Sequence, residues 1–319
     1  MICEDPCHRP SELLKIYTKT CITCQNKKIV EGIIMSEKNQ IIPSTLYLVA
    51  TPIGNLSDLS ERAVKVLTEV DFIAAEDTRN TAHLLSYLNI QKPLVSYHEH
   101  NKRERGENIC DRLQGGESCA LVTDAGTPAI SDPGEDLVAL CAARGIAVTS
   151  IPGCCAGITA LTLSGLPTGR FCFEGFLSVN KSDRKKRLDS LKNETRTMIF
   201  HEAPHKLKTT LADFRDTFGD GRRISLCREL TKLNEEILRL TLAEAVAYYA
   251  ENDPRGEYVL VVEGAQEGTA VPEAFWTDMT IPDHVARYME QGMTKKDAIK
   301  AAAKDRGVPK NEVYQAVIE

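Results

Sequence analysis

The segment "LVTDAGTPAISDPG", residues 121–134, leads from an apolar run directly into a loop crowded with turn-forming residues. An ordinary turn between a strand and a helix needs one or two residues of this kind. Here the Asp, Gly and Pro residues of the loop are Asp124, Gly126, Pro128, Asp132, Pro133 and Gly134. Such an excess favours a loop whose backbone is shaped to hold a ligand over a simple connection.

Around this segment, short apolar runs alternate with amphipathic helical patterns from residue 45 to residue 152. "TLYLVATP" (45–52) is typical of a buried strand ended by a proline. "SERAVKVLTEV" (60–70) is typical of a helix with Ser60 as its cap. Strands that alternate with helices predict a mostly parallel sheet covered on both faces.

A second set of such elements follows and ends in a short helical tail. Its strand-like runs are "RFCFEGFL" (170–177), "TRTMIFHEAP" (195–204), "RRISLCREL" (222–230) and "YVLVVEG" (258–264), with one helix, "TLAEAVAYYA" (241–250), between the last two. We therefore predict an α/β fold with two α/β domains and a small C-terminal helical domain. The expected boundaries are an extension at 1–44, α/β domains at 45–153 and 154–266, and a helical tail at 267–319.

Composition narrows the class of protein. The 319 residues carry a net charge of −6 at pH 7, which argues against a protein that coats nucleic acid indiscriminately. No apolar run approaches the roughly 20 residues that a bilayer crossing requires, and the N-terminus lacks an apolar secretory core. We expect a cytoplasmic protein without a membrane partner, whose eleven Cys are mostly reduced.

Residues 1–44 differ from the rest in their polar, Cys-bearing character. Cys21 and Cys24 have the spacing of metal ligands, and Cys7 and His8 could complete a zinc set with them. We interpret the segment as a disordered extension, or as translated sequence upstream of a natural start at Met35, and keep a zinc site as the alternative.

The segment "HEAPH" (201–205) matches the letters of the zinc-protease motif H-E-x-x-H. That motif needs both His on one helix, and Pro204 would break such a helix, whereas it fits the first helical turn. We expect His201 to end a strand and His205 to open the next helix, and we predict no metal in the site.

Turn-rich loops follow several of the predicted strands, and ligands of open parallel sheets bind outside the carboxyl ends of the strands. Besides the opening segment, these loops are "ATPIGNLSDLS" (50–60), "AAEDTRNT" (74–81), "SYHEHN" (96–101), "SIPGCCAG" (150–157) and "EGFLS" (174–178). Together they predict a small-molecule site at one sheet edge. The glycine fingerprints of dinucleotide and nucleoside triphosphate sites are absent, so those ligands have no anchor.

Long motifs carry a resemblance to a known family. They include "LYLVATPIGNLSDLSERAVKVL" (46–67), "AAEDTRNTAHLL" (74–85), "LVTDAGTPAISDPGEDLV" (121–138) and "CRELTK" (227–232). From about residue 45 to the C-terminus the chain resembles the tetrapyrrole methylase family, in the branch that methylates ribosomal RNA. The resemblance implies a homodimer with S-adenosylmethionine bound in a cleft between two α/β domains. It also implies methyl transfer to the ribose 2′-hydroxyl of a cytidine in the decoding region of 16S rRNA, within the small ribosomal subunit.

The resemblance also implies which residues hold the methyl donor. In the first domain and the loop that ends it they are Pro52, Ile53, Gly54, Asp124, Gly126, Thr127, Ile130, Pro152, Gly153 and Ala156, and in the second domain Phe176, Leu177, Ala203 and Pro204. One position departs from the family, which usually has a small hydroxyl residue where this chain has Cys155. A thiol is a weak hydrogen-bond donor, so a side-chain hydrogen bond to the methyl donor there is in doubt.

Methyl transfer to a hydroxyl benefits from a proton acceptor or a positioned cation, because the hydroxyl is a poor nucleophile. Asp77 or Glu76 is a candidate acceptor, and Arg79 could grip a phosphate or ribose oxygen. His98 and His100, with Glu99 between them, form a second polar cluster. The competing interpretation makes Asp77 a helix cap with Arg79 on the surface.

A basic segment provides candidate RNA contacts, namely Lys181, Arg184, Lys185, Lys186 and Arg187, and we expect the helical tail at 267–319 to contact the RNA as well. Such a run is also typical of a solvated helix face. Two other functions share the fold: methylation of a tetrapyrrole precursor of cobalamin or sirohaem, and a non-catalytic role in ribosome assembly.

Overall fold

The computed structural model describes residues 40–266, 276 and 279–317. In these ranges no helix combines the length and apolar character needed to cross a membrane. The N-terminal Cys3, Cys7, His8, Cys21 and Cys24 lie outside the described residues. Within the described residues, no group of three or more His, Cys, Asp or Glu side chains is arranged to hold a metal ion.

The first sheet has five parallel strands in the order β3-β2-β4-β1-β5. Its elements are β1 (Thr45–Val49), α1 (Glu61–Glu69), β2 (Phe72–Ala75), α2 (Thr78–Tyr87), β3 (Leu94–Ser96), α3 (Lys102–Gln114), β4 (Cys119–Val122), α4 (Glu135–Ala143) and β5 (Ala147–Ile151). A 3₁₀ turn at Leu56–Asp58 precedes α1, which Ser60 caps as predicted.

Both faces of the first sheet are covered, because neighbouring residues of each strand enter different cores. Val49 and Ile73 pack with Leu67 of α1 on one face. Leu46 and Phe72 pack on the other face with residues of α3 and α4. The predicted parallel sheet with helices on both sides is confirmed.

The second sheet is mixed, with the order β6-β7-β10-β8-β9, and only β6 and β7 run parallel. Its elements are α5 (Ala156–Leu163), β6 (Phe171–Phe176), α6 (Lys181–Leu191), β7 (Thr197–Glu202), α7 (Pro204–Phe218), β8 (Arg223–Arg228), β9 (Glu236–Thr241), α8 (Leu242–Glu251) and β10 (Tyr258–Val262). His201 therefore lies in a strand and Pro204 opens a helix, which confirms that "HEAPH" is not a zinc-protease helix.

Strand β9, with the sequence "EILRLT", is an element that the sequence analysis missed. It is an edge strand whose residues are half-buried or exposed, and its apolar residues are interrupted by Arg239. Its strand geometry comes from antiparallel pairing with β8, which a local pattern does not reveal.

Helix α5 joins the two sheets. It begins immediately after the loop that follows β5, yet its Ala160 and Leu161 pack with Ile199 and Val259 of the second sheet. Ile53, from the loop after β1, packs against the same cluster. The carboxyl-end loops of the first sheet are thereby brought against the face of the second sheet.

The C-terminal tail contains α9 (Ile281–Glu290), α10 (Lys295–Arg306) and α11 (Lys310–Ala316). Val285, Ile299 and Val313, one from each helix, meet in a small apolar core of their own. The predicted helical character of the tail is confirmed for residues 281–316.

Candidate active site

Three loops at the carboxyl edge of the first sheet are tied to one another by hydrogen bonds. The backbone groups of Thr51 and Gly126 pair in both directions, at 2.9 and 3.0 Å. The hydroxyl of Thr127 donates to the carbonyl of Cys154 at 2.8 Å. The loops after β1, β4 and β5 therefore form one connected rim.

The segment at 121–134 has an unusual backbone, as its composition predicted. Ala129 and Ser131 have φ values of 68° and 63°, which side-chain-bearing residues rarely adopt. Gly134 has a φ of 144° and packs so closely that a Cβ would lie 3.0 Å from Leu121 and 3.1 Å from the backbone of Ala129. Conformations of this kind cost on the order of 1–3 kcal/mol each and persist where surrounding contacts hold them.

Two adjoining cavities of ≈ 570 and ≈ 390 Å³ lie between this rim and the second sheet. The two cavities share residues from both domains and form one cleft. The shared lining residues are Ile53, Ala125, Ile130, Ser131, Asp132, Ala156 and His201. A volume of this size suits a small organic ligand or cofactor.

The cleft is lined by most of the residues expected to hold a donor. Those that line it are Ile53, Gly126, Thr127, Ile130, Ala156, Phe176, Ala203 and Pro204. Those that lie on the connected loops without lining either cavity are Pro52, Gly54, Asp124, Pro152 and Gly153. Cys155 lines the larger cavity at the start of α5, and its thiol makes no capping hydrogen bond.

Leu177 is the exception among the expected donor-binding side chains. It is 9% exposed and packs in the core of the second domain with Leu188 and Leu207. The Leu177 side chain is therefore part of that core, and any contribution of Leu177 to donor binding would come from its backbone.

Asp77 caps helix α2 and pairs with Arg79. Its carboxylate accepts from the Arg79 backbone N–H at 2.8 Å and from the guanidinium at 2.6 Å. Hydrogen bonds from Arg79 lower the pKa of Asp77 to about 2. The Arg79 side chain is 85% exposed, and neither residue lines the cleft. This geometry is the capping arrangement that the sequence left as the alternative.

His98 and His100 face each other edge-on at 5.9 Å beyond the end of β3. The His98 ring contacts Asn101, whose amide also accepts from the His98 backbone N–H at 2.9 Å. Neither His lines the cleft.

Three carboxylates converge where β2 and β4 end. Burial raises the pKa of Glu76, and the nearby charge of Asp124 adds to the rise. Burial also raises the pKa of Asp132, to about 6, with contributions from Glu76 and Asp124. Asp124 is exposed and accepts a hydrogen bond from Asn80 at 3.1 Å. Of the three, Asp132 lines both cavities.

His201 forms part of the opposite wall. Its ring lies edge-on to Phe173 and Phe176, at 5.3 Å from each, and these contacts orient it. Its Nε2 is buried without a hydrogen-bond partner, and burial lowers its pKa, which favours the neutral imidazole. A buried nitrogen in this state is poised to bond with a ligand.

Lys232 closes one end of the smaller cavity. Its ammonium group donates to Glu229 at 2.8 Å and to Glu257 at 2.9 Å. Asp132, His201 and Lys232 were not expected at the site from the sequence, although each stands in a quoted motif. The motifs indicated that these segments lie near the site. The sequence did not reveal which of their side chains face the cleft.

The basic segment is only partly available for RNA. Arg184 is 7% exposed, and its guanidinium donates to Asp213 at 2.6 Å and to Thr210 at 2.9 Å. Its expected role in RNA binding is therefore wrong, because the charge is already satisfied inside the second domain. Lys185 pairs with Asp189 and Arg187 with Glu174, while Lys181 and Lys186 are exposed.

Comparison with known proteins agrees with this arrangement. A family model described as Tetrapyrrole (Corrin/Porphyrin) Methylases matches residues 45–246. The chain belongs to this family of methyltransferases. Solved structures that it resembles include a cobalt precorrin-4 methyltransferase (TM-score 0.52, 14% identity, covering 69% of this chain and 95% of that one) and a diphthine synthase (TM-score 0.52, 13% identity, 69% and 89%). At such identities the likeness concerns the fold alone.

Much more similar sequences occur among curated proteins named ribosomal RNA small subunit methyltransferase I. The protein from Halalkalibacterium halodurans is 51% identical, covering 85% of this chain and 93% of its own. Those from Bacillus subtilis and Escherichia coli O157:H7 are 48% and 43% identical, covering 85% and 86% of this chain and 93% and 94% of their own.

Proposed function

We propose that this chain transfers a methyl group from S-adenosylmethionine to the ribose 2′-hydroxyl of a cytidine in the decoding region of 16S rRNA. The observation that carries the proposal is the 51% identity over 270 residues to a protein named ribosomal RNA small subunit methyltransferase I. The cobalt precorrin-4 methyltransferase is 14% identical to this chain, and that likeness is one of fold.

The residues of the cleft fit the proposed donor. Its walls combine apolar side chains such as Ile53 and Phe176 with close backbone at Gly126, which suits an adenine and a ribose. His201 Nε2 supplies a buried hydrogen-bonding atom without a protein partner. S-adenosylmethionine carries an activated methyl on a sulfonium, so the reaction needs no metal.

The contribution of the protein is then mainly one of position. The methyl carbon and the attacking oxygen must be held in line at roughly 3 Å. The loops after β1, β4 and β5 are fixed to one another by the Thr51–Gly126 pair and the Thr127–Cys154 bond, which provides a rigid seat. The second sheet provides the facing wall, so both domains act on the donor.

Lys181 and Lys186 are the exposed cations of α6 that we propose contact the RNA, together with lysines of the tail helices. The homodimer and a cytoplasmic location remain part of the proposal.

The test uses undermethylated small ribosomal subunits, labelled S-adenosylmethionine and nucleoside mass analysis. We expect labelled 2′-O-methylcytidine from the decoding region. As a matched negative control, Gly126→Trp fills the larger cavity and should abolish labelling. Label on a base, or labelling of porphyrinoid precursors instead of RNA, would overturn the proposal. Donor binding without transfer to either substrate would favour the assembly-factor alternative.

A further inference from the structure

Five carboxylates line the cleft, and the structure distinguishes them by their partners. They are Asp132, Glu135, Glu202, Glu229 and Glu257. Glu229 and Glu257 both pair with Lys232. Glu202 accepts from the Thr210 hydroxyl and from the Ala203 backbone N–H. Glu135 is exposed at the first turn of α4.

Asp132 differs from the other four in its placement, and from Glu229 and Glu257 also in having no cation beside it. It lines the two cavities where they join, opposite His201, whereas each of the others lines a single cavity. No ion pair involves it among the described residues. It is therefore a carboxylate that faces the cleft without a neutralising cation.

We propose that the Asp132 carboxylate accepts the proton of the hydroxyl group that is methylated. This proposal rests on the function proposed above. As the oxygen bonds to the methyl carbon, the carbon–sulfur bond breaks and its electron pair stays on sulfur. The hydroxyl proton passes to a carboxylate oxygen of Asp132, which releases it to solvent when the product leaves.

The groups that face Asp132 explain why it can act as a base near neutral pH. Glu76 from the end of β2 and Asp124 from the end of β4 place negative charge beside it. Across the cleft, His201 is kept neutral by burial. Burial and the two carboxylates raise the pKa of Asp132 to about 6, close to the ideal for proton transfer at neutral pH.

Asp77, the acceptor suggested by sequence, is poorly suited to this role. Its carboxylate is already bonded to the backbone and guanidinium of Arg79, and its pKa is lowered to about 2. A carboxylate that binds protons so weakly provides little driving force for proton removal.

The experiment measures single-turnover methylation of small subunits by the full chain at saturating donor, between pH 5 and pH 8. For the wild type we expect the rate to rise tenfold per pH unit below about pH 6 and to level off above it. Asp132→Asn should lower the plateau about 10²–10⁴-fold and abolish the inflection, with the donor Kd changed less than about threefold. Asp136→Asn is the matched control: this exposed carboxylate of α4 pairs with Lys102 and should leave the profile intact.

A second variant keeps the proposal testable if Asp132→Asn does not fold. Asp132→Ala should be rescued by added formate in proportion to its concentration, because formate supplies the missing carboxylate. Wild-type rates in Asp132→Asn, a rate loss accounted for by weaker donor binding, or an absence of formate rescue would each overturn the role of Asp132. If the wild type makes no 2′-O-methylcytidine, both the proposed function and the role of Asp132 fail. If the wild type makes it and Asp132→Asn is equally active, only the role of Asp132 fails.

Discussion

The side chain of Lys232 covers the backbone of Gly54, so that a Cβ on Gly54 would lie 2.3 Å from Lys232 Cγ. Gly54 belongs to the loop after β1 and Lys232 to the loop after β8, so the contact joins the two domains at one end of the cleft. Ion pairs with Glu229 and Glu257 hold Lys232 in this position. A side chain at Gly54 therefore cannot be added without moving an interdomain contact.

For Gly54→Ala we expect a destabilised chain and weaker donor binding. The backbone φ of +147° strains any residue with a Cβ, at about 1–3 kcal/mol, and the added methyl also displaces Lys232. Urea unfolding and calorimetric titration of the donor measure the two effects.

Gly116→Ala separates strain from collision. Gly116 has a φ of +104° with nothing within 4 Å of its expected Cβ, so it should lose stability but keep donor affinity. The double variant Gly54→Ala, Lys232→Ala should regain part of the lost affinity. Equal effects in the single and double variants would show that Lys232 does not transmit the change.

For Arg184→Ala we expect a loss of about 2 kcal/mol in the free energy of unfolding, because Asp213 and Thr210 lose a buried charged partner. The control Lys186→Ala, on the exposed side of the same helix, should change it by less than about 0.5 kcal/mol. RNA binding should be weakened more by Lys186→Ala than by Arg184→Ala. The RNA affinity of Lys186→Ala should also depend less on salt concentration than that of the wild type. Weaker RNA binding by a fully stable Arg184→Ala would contradict this assignment.

The pairing of Asp77 with Arg79 predicts a pH dependence of stability. The carboxyl group has a lower pKa in the folded chain, about 2 instead of 3.8, so its stabilising effect is present above pH 4. That effect is lost as the pH falls from about 4 to 2. Urea unfolding at pH 5 and pH 3 should show a smaller decrease for Asp77→Asn, which keeps a capping oxygen, than for the wild type. An identical decrease in both proteins would exclude the Asp77–Arg79 pair as a source of the pH-dependent loss of stability.

The unpartnered nitrogen of His201 predicts a direct contribution to donor binding. His201→Phe keeps an aromatic ring between Phe173 and Phe176 but removes Nε2, and we expect an affinity about fivefold lower. His201→Gln, which can place an amide nitrogen at a similar position, should recover part of this loss. Because burial lowers the pKa of His201, wild-type stability should also decline as the pH falls below 6.5, and less so in His201→Phe. Unchanged affinity in His201→Phe would remove Nε2 from the donor site.

Local patterns were enough to place the strands and helices of the first sheet, because alternation, apolar periodicity and capping act over a few residues. They also revealed that Pro204 opens a helix, which excluded a zinc motif at "HEAPH". They did not reveal β9, because an edge strand depends on its neighbour for pairing.

By itself the sequence determined the family, the order of elements and the loops that form the rim of the cleft, since turn chemistry and hydrophobic periodicity are written in contiguous residues. Only the tertiary structure decided which charges remain available. Arg184 is neutralised by Asp213 and Asp77 by Arg79, whereas Asp132 faces the cleft beside Glu76 and Asp124. Burial and charge pairing depend on groups that are distant in sequence and are brought together by tertiary packing. A local sequence pattern therefore cannot predict them.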